Sequence, residues 1–226
     1  MTPSLFIHVA AGSIGIICGA AALSVRKGSR FHRAVGRLFL VSMATAAALG
    51  AYLGVSAHRG ALLIGGILAC YMLATAWMTV HRKAGTIGTF ERIAPFGALG
   101  VAALCLSFGI QATNSKMGHF QGIPAAAYYG QALVAALAFG LDIKIILRGG
   151  ISGVPRIARH IWRVCLAFFE ATSAFFIGQQ KVMPVFMHGS PVLLTLGVAP
   201  LVVMAFWLVR VRFTRWDVWP LLDSGA

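Results

Sequence analysis

Charge is scarce in this sequence, and negative charge scarcer still. Only 11% of the 226 residues are charged, and five of those are Asp or Glu. With 59% hydrophobic residues and a mean hydropathy of +0.84, that scarcity excludes a soluble composition and describes a polytopic membrane protein. Cysteine is sparse too. Cys18, Cys70, Cys105 and Cys165 lie in or near apolar runs without CxxC spacing, which argues against a disulfide framework and a zinc ribbon. They read as small buried hydrophobes. There is no GxSxG elbow, no P-loop, and no HxxxH or HExxH spacing among the histidines. The opening MTPSLFIHVA lacks a basic n-region, so no cleavable signal peptide is expected. Nor is there a soluble domain, a low-complexity tract or an internal repeat.

What is there is a series of seven apolar runs, at about 4–24, 36–56, 61–80, 93–112, 125–147, 161–180 and 191–211. Each approaches the ~20 residues a helix needs to cross the hydrocarbon core, where backbone polar groups must bond within the segment. The expected fold is all-α: one polytopic transmembrane bundle of seven spans, with residues 1–226 as a single domain.

The cations sort by connector. Sixteen Lys and Arg fall in 25–37, 82–92, 144–163 and the tail from Arg210, against Arg59, Lys116 and Lys181 in the alternate loops. This asymmetry places the N-terminus outside and the C-terminus in the cytoplasm. The net charge of +14 does not point to nucleic acid, because the cations lie between apolar runs rather than along one polar face. The expected partner is the bilayer, with anionic lipids at the cytoplasmic face. The oligomeric state is not readable.

The first run carries His8, Gly12, Gly15 and Gly19 on one helical face, a groove for a neighbouring backbone or a flat ligand. Polar residues inside lipid are costly, face the interior and often mark function. By that rule Cys70, Ala74, Trp77 and His81 form a stripe on the third run, and Gly100, Ser107 and Gln111 one on the fourth. On the fifth, Gln131, Ala135, Ala138 and Asp142 line up, with Lys144 and Arg148 near the acid. On the sixth, Arg163, Ala167, Glu170 and Ala174 share a face, with His160 at its edge. Glu170 stands near mid-span. Unpaired and ionised it would cost several kcal/mol, so it is neutral or has a partner, for example an arginine or the hydroxyl of Ser42 or Thr45.

Two segments also resemble a known family. One runs through His8, Gly12, Lys27, Gly28, His32, Arg33 and Gly36, giving H-x3-G, KG and HR-x2-G. The other is ARHIWRVCLAFFEATSAFFIGQQ, Ala158 to Gln180, with an RH-x-W element and Pro184 following. Together they resemble an uncharacterised family of predicted bacterial membrane proteins, a domain of unknown function. The resemblance implies a polytopic bacterial inner-membrane protein without an established reaction, and directs attention to His8, His32, His160 and Arg163.

Three functions compete on the sequence, and whether the chain is an enzyme is not decided. Haem-linked electron transfer would use haem b held by facing histidines, His8 with His188 or His119 toward the outside and His81 with His160 toward the cytoplasm. A small proton-coupled transporter or channel would use Glu170, Asp142 and Gln131 as its pathway. A structural or sensory membrane subunit would need neither. Copper(I) on Met117, His119, Met183, Met187 and His188, or zinc on His32, His81, His160 and Asp142, are further options.

Overall fold

The computed structural model describes residues 2–213. The tail carrying Arg215, Asp217 and Asp223, which the sequence reading assigns to the cytoplasm, lies outside the described residues. Seven helices are long and apolar enough to cross a bilayer: α1 (Pro3–Ser24), α2 (Arg30–Ser56), α3 (Gly60–His81), α4 (Thr89–Asn114), α5 (Ala125–Leu147), α6 (Gly153–Thr172) and α7 (Pro191–Phe213), with α6 continued by a π-helical turn, Ser173–Ile177. The all-α expectation and the helix number agree with this architecture.

The helices begin earlier than the apolar runs where a cap permits. Ser29 adopts extended backbone and accepts a hydrogen bond from the His32 amide, 3.0 Å, so α2 starts at Arg30 and carries Arg30, Arg33 and Arg37 on its first turns. Lys27 closes the preceding helix. Its ammonium donates to the carbonyls of Ala22, Leu23 and Val25, satisfying the open C-terminus of α1. Burial there lowers the Lys27 pKa from its ordinary value of 10.5.

Small residues bring the first helices together. A methyl group added to Gly15 would strike Met43 of α2, and one at Gly19 would strike Phe168 of α6. Between α2 and α3 the approach is backbone to backbone, Gly54 against Leu63 and Gly66 against Ala47 and Ala51. α3 is the most enclosed helix, packed on α2, α6 and α4, with Ile64, Leu68, Met72 and Ala76 essentially without exposure. α5 pairs closely with α4 but makes at most sparse backbone approach to α3 and α6. That seam is bridged by side chains.

At the end expected to face outward, a short antiparallel hairpin, β1 (His119–Phe120) and β2 (Ile123–Pro124), folds over α3. Gln121, at its turn with φ of 51°, accepts a hydrogen bond through Oε1 from the first amide of α3, Gly60. Phe108, Phe120 and Tyr128 pack around that contact.

Candidate functional site

Polar chemistry concentrates in the seam where α5 faces α3 and α6, at two levels. α5 and α6 run antiparallel, and the two levels share one register: eleven residues separate Gln131 from Asp142, and eleven separate Glu170 from Arg159. At a rise of ~1.5 Å per residue the levels lie roughly 16 Å apart.

The lower level is a buried ion cluster. Asp142 of α5 is 3% exposed, and Arg159 and Arg163 of α6 both converge on its Oδ1, at 2.9 and 2.6 Å. Tyr71 of α3 donates its hydroxyl to Oδ2. Arg163, with no exposure at all, also donates to Thr75 Oγ1 (3.1 Å) and to the Ala138 carbonyl (3.3 Å). Its guanidinium stacks over the rings of Trp162 (4.4 Å) and Tyr71 (4.8 Å). Arg159 reaches the Thr75 carbonyl and the Thr79 hydroxyl. One turn further, Arg156 donates to the carbonyls of Thr79, Val80 and Arg82 at 2.7, 3.1 and 2.6 Å. Arginines at 156, 159 and 163 thus form one stripe along α6, laid against α3. The carbonyl-bearing C-terminal end of α3 carries partial negative charge and offsets part of theirs.

This sharpens the expected surroundings of Asp142. Its partners are Arg159, Arg163 and Tyr71, not Lys144 or Arg148. Three of the sixteen cations counted toward topology are also interior groups, Arg156, Arg159 and Arg163. The remaining cations keep the same sign of asymmetry.

The upper level is sparse. Glu170 is half-buried, and its carboxylate Oε2 accepts from the Gln131 amide at 3.4 Å. A methyl group added to Gly65 of α3 would approach the same oxygen at 3.8 Å. Ser42 and Thr45 are not its partners, for both hydroxyls bond to carbonyls of their own helix. No cation pairs with Glu170 among the described residues. Directly beyond it α6 widens into the π-helical turn, a form that often occurs at functional positions. α7 is fitted to this turn: Thr172 Oγ1 donates to the Gly197 carbonyl at 2.9 Å, and a side chain at Gly197 would collide with Ile177.

The remaining expected stripes face differently. On α3 the buried line is Leu68, Met72, Thr75 and Thr79, while Ala74 and His81 are exposed. On α4 the buried line is Ala98, Ala102, Cys105 and Ala112, while Gly100, Ser107 and Gln111 are exposed. Ser107 and Gln111 stay on the outside because each bonds to a carbonyl of its own helix. Glu91, which sequence reasoning passed over, is 7% exposed and accepts from the Gly88 amide (2.8 Å) while pairing with Arg82 (3.0 Å). An acid in the first turn of a helix after a glycine was the available signal.

The histidines are mostly tied to carbonyls. His8, His32 and His160 each present Nδ1 to a carbonyl of a neighbouring helix, Ala46, Ala22 and Ala76, at 2.8, 3.1 and 3.4 Å. His81 bonds the Trp77 carbonyl of its own helix and stacks on that indole at 3.5 Å. His188 turns back on the Met183 carbonyl of its own loop, and His119 on that of Met117. No group of three or more His, Cys, Asp or Glu side chains is placed to hold a metal ion among the described residues. Comparison with family models, with curated proteins and with solved structures finds no match to this chain.

Proposed function

We propose that this integral membrane protein is a small proton-coupled transporter or channel in which Glu170 is the protonatable group. The observation that carries the reading is the contrast in pairing at mid-span. Among the described residues Glu170 has a single neutral side-chain partner, Gln131, where an ionised carboxylate in lipid calls for a cation. Such a group can take and release a proton without breaking an ion pair. Asp142, held by two arginines and a tyrosine, is the fixed end of the same pathway. The π-helical turn after Glu170 supplies a locally irregular backbone where α6 and α7 can shift against each other.

The cation asymmetry supports an outside N-terminus and a cytoplasmic C-terminus. The motif resemblance supports the bacterial inner membrane as location. The basic cytoplasmic connectors would attract anionic lipids. Purified protein in liposomes tests the transport reading: it should carry a pH-dependent flux that Glu170→Gln abolishes, and equal flux from the variant would refute it.

One observation favours haem-linked electron transfer as a second reading. Nδ1 anchored to a carbonyl, with Nε2 left as donor atom, is the usual posture of a ligating histidine, and His8 and His160 hold it. His81 holds the same posture through the carbonyl of Trp77 in its own helix, whereas His188 bonds through Nε2 and would have to turn to complete the outer pair. A bound haem b would supply one-electron chemistry. Protein from haem-replete cells would then show a Soret band that His160→Ala diminishes, and a colourless preparation eliminates this reading.

A further inference from the structure

We infer that the buried guanidinium of Arg163, in the seam between α5 and the α3–α6 pair, is a binding site for a small monovalent anion of halide or carboxylate size. Three observations converge on it. Arg159 and Arg163 share one oxygen of one carboxylate, so this part of the cluster carries one positive charge more than Asp142 neutralises. Arg163 Nε is fully buried and has no hydrogen-bond acceptor among the described residues, although the other two nitrogens of the same guanidinium are well supplied. The neighbouring hydroxyls do not fill the need. Tyr71 gives its proton to Asp142, and Thr75 Oγ1 already accepts from Arg163 while donating to the Tyr71 carbonyl at 2.7 Å. An excess positive charge and an unused N–H in a low-dielectric interior are both satisfied by a single anion.

The seam can admit one. α5 is joined to α3 and α6 here by side chains rather than by close backbone packing, so room beside Arg163 Nε comes from side-chain rearrangement while Asp142 still holds α5 in place. The same excess charge repels inorganic cations at this level. Where the Glu170 reading also holds, the anion is the species that travels with the proton. That extension rests on the Glu170 reading; the binding site itself does not.

The test is a chloride titration of the purified protein in detergent, starting from chloride-free gluconate buffer at constant ionic strength, followed by the 35Cl NMR line width. The expected result is saturable broadening above a protein-free detergent blank, displaced by formate. Arg163→Lys, which keeps the charge and removes Nε, should weaken binding at least tenfold, and Glu170→Gln should leave it intact. A wild-type protein without saturable broadening, or Arg163→Lys with wild-type affinity, overturns the site. A second readout needs no change at the arginine. The Trp162 ring lies 4.4 Å from the guanidinium, so its emission should change along the same chloride curve, a component missing from Trp162→Phe. Broadening without that component puts the chloride elsewhere and overturns the site as well. Chloride binding retained in Glu170→Gln, together with wild-type flux from that variant, would refute the transport reading and leave this site standing.

Discussion

Two acids in the interior of this bundle have opposite surroundings. Asp142 is gripped by Arg159, Arg163 and Tyr71, with almost no exposure. Glu170, on the next level up the same seam, meets one carboxamide at 3.4 Å. The first arrangement fixes a charge and with it the position of α5. The second leaves a carboxyl without a counter-charge, which the proposed transport reading takes as the proton site. A buried ion pair is costly to break because one partner is left uncompensated, whereas a singly hydrogen-bonded carboxyl can gain or lose a proton with little rearrangement. On the proposed reading, fastening and function fall to different acids.

The contrast breaks most visibly at Asp142. Asp142→Ala leaves two guanidiniums in the interior without a counter-charge, and should cost about 3–5 kcal/mol. The measurement is thermal unfolding in detergent or nanodiscs, where a near-wild-type midpoint would show that the cluster fastens nothing. Next in size, Gly54→Leu places a side chain against the backbone of Leu63, where α2 and α3 touch. Overpacking of that kind costs roughly 1–3 kcal/mol, read in the same assay, with Gly36→Leu, which meets nothing within 4 Å, as the matched control. Lys27→Met removes the ammonium that caps α1 and should lower stability by about 1 kcal/mol. Glu170→Gln should come last in stability and first in function. Replacing a neutral-capable carboxyl by an isosteric amide is expected to change the unfolding free energy by less than about 1 kcal/mol, while abolishing flux. A large loss of stability in Glu170→Gln would mean that both acids are structural, and the distinction between them would disappear.

Much of the bundle was legible from composition and charge. Hydropathy marks seven helices because a bilayer gives a helix no alternative partner for its backbone. The glycine face of α1 and the Gln131–Asp142 stripe of α5 point inward as expected, with Gly15, Gly19, Ala135, Ala138 and Asp142 buried. The α3 and α4 stripes were misread for a physical reason. In lipid a serine or glutamine that bonds to its own helix is not forced inside, so weak polarity does not report the buried face. On α3 the buried face is made by Leu68, Met72, Thr75 and Thr79, of which only two threonines carry polarity.

The arginine stripe of α6 was hidden differently. Arg156 and Arg159 fall just before the apolar run at 161–180, where a cation ordinarily signals the cytoplasmic boundary. Their burial depends on a tertiary fact, that the carbonyl end of α3 and the carboxylate of α5 are waiting opposite. Spacing alone gave a hint, since 156, 159 and 163 share a helical face with Glu170. Glu170 stands out by its place near mid-span and Gln131 by its stripe with Asp142, but their meeting follows only from the antiparallel register of α5 and α6.

The most direct measurement is flux across liposomes of defined orientation, with an imposed pH gradient, for wild type, Glu170→Gln and Glu170→Asp. A gradient-driven flux in wild type, absent in the glutamine variant and partly retained in the aspartate variant, is the expected result. A glutamine variant that matches wild type at every pH, while remaining folded, would contradict the assignment of Glu170 as the proton site.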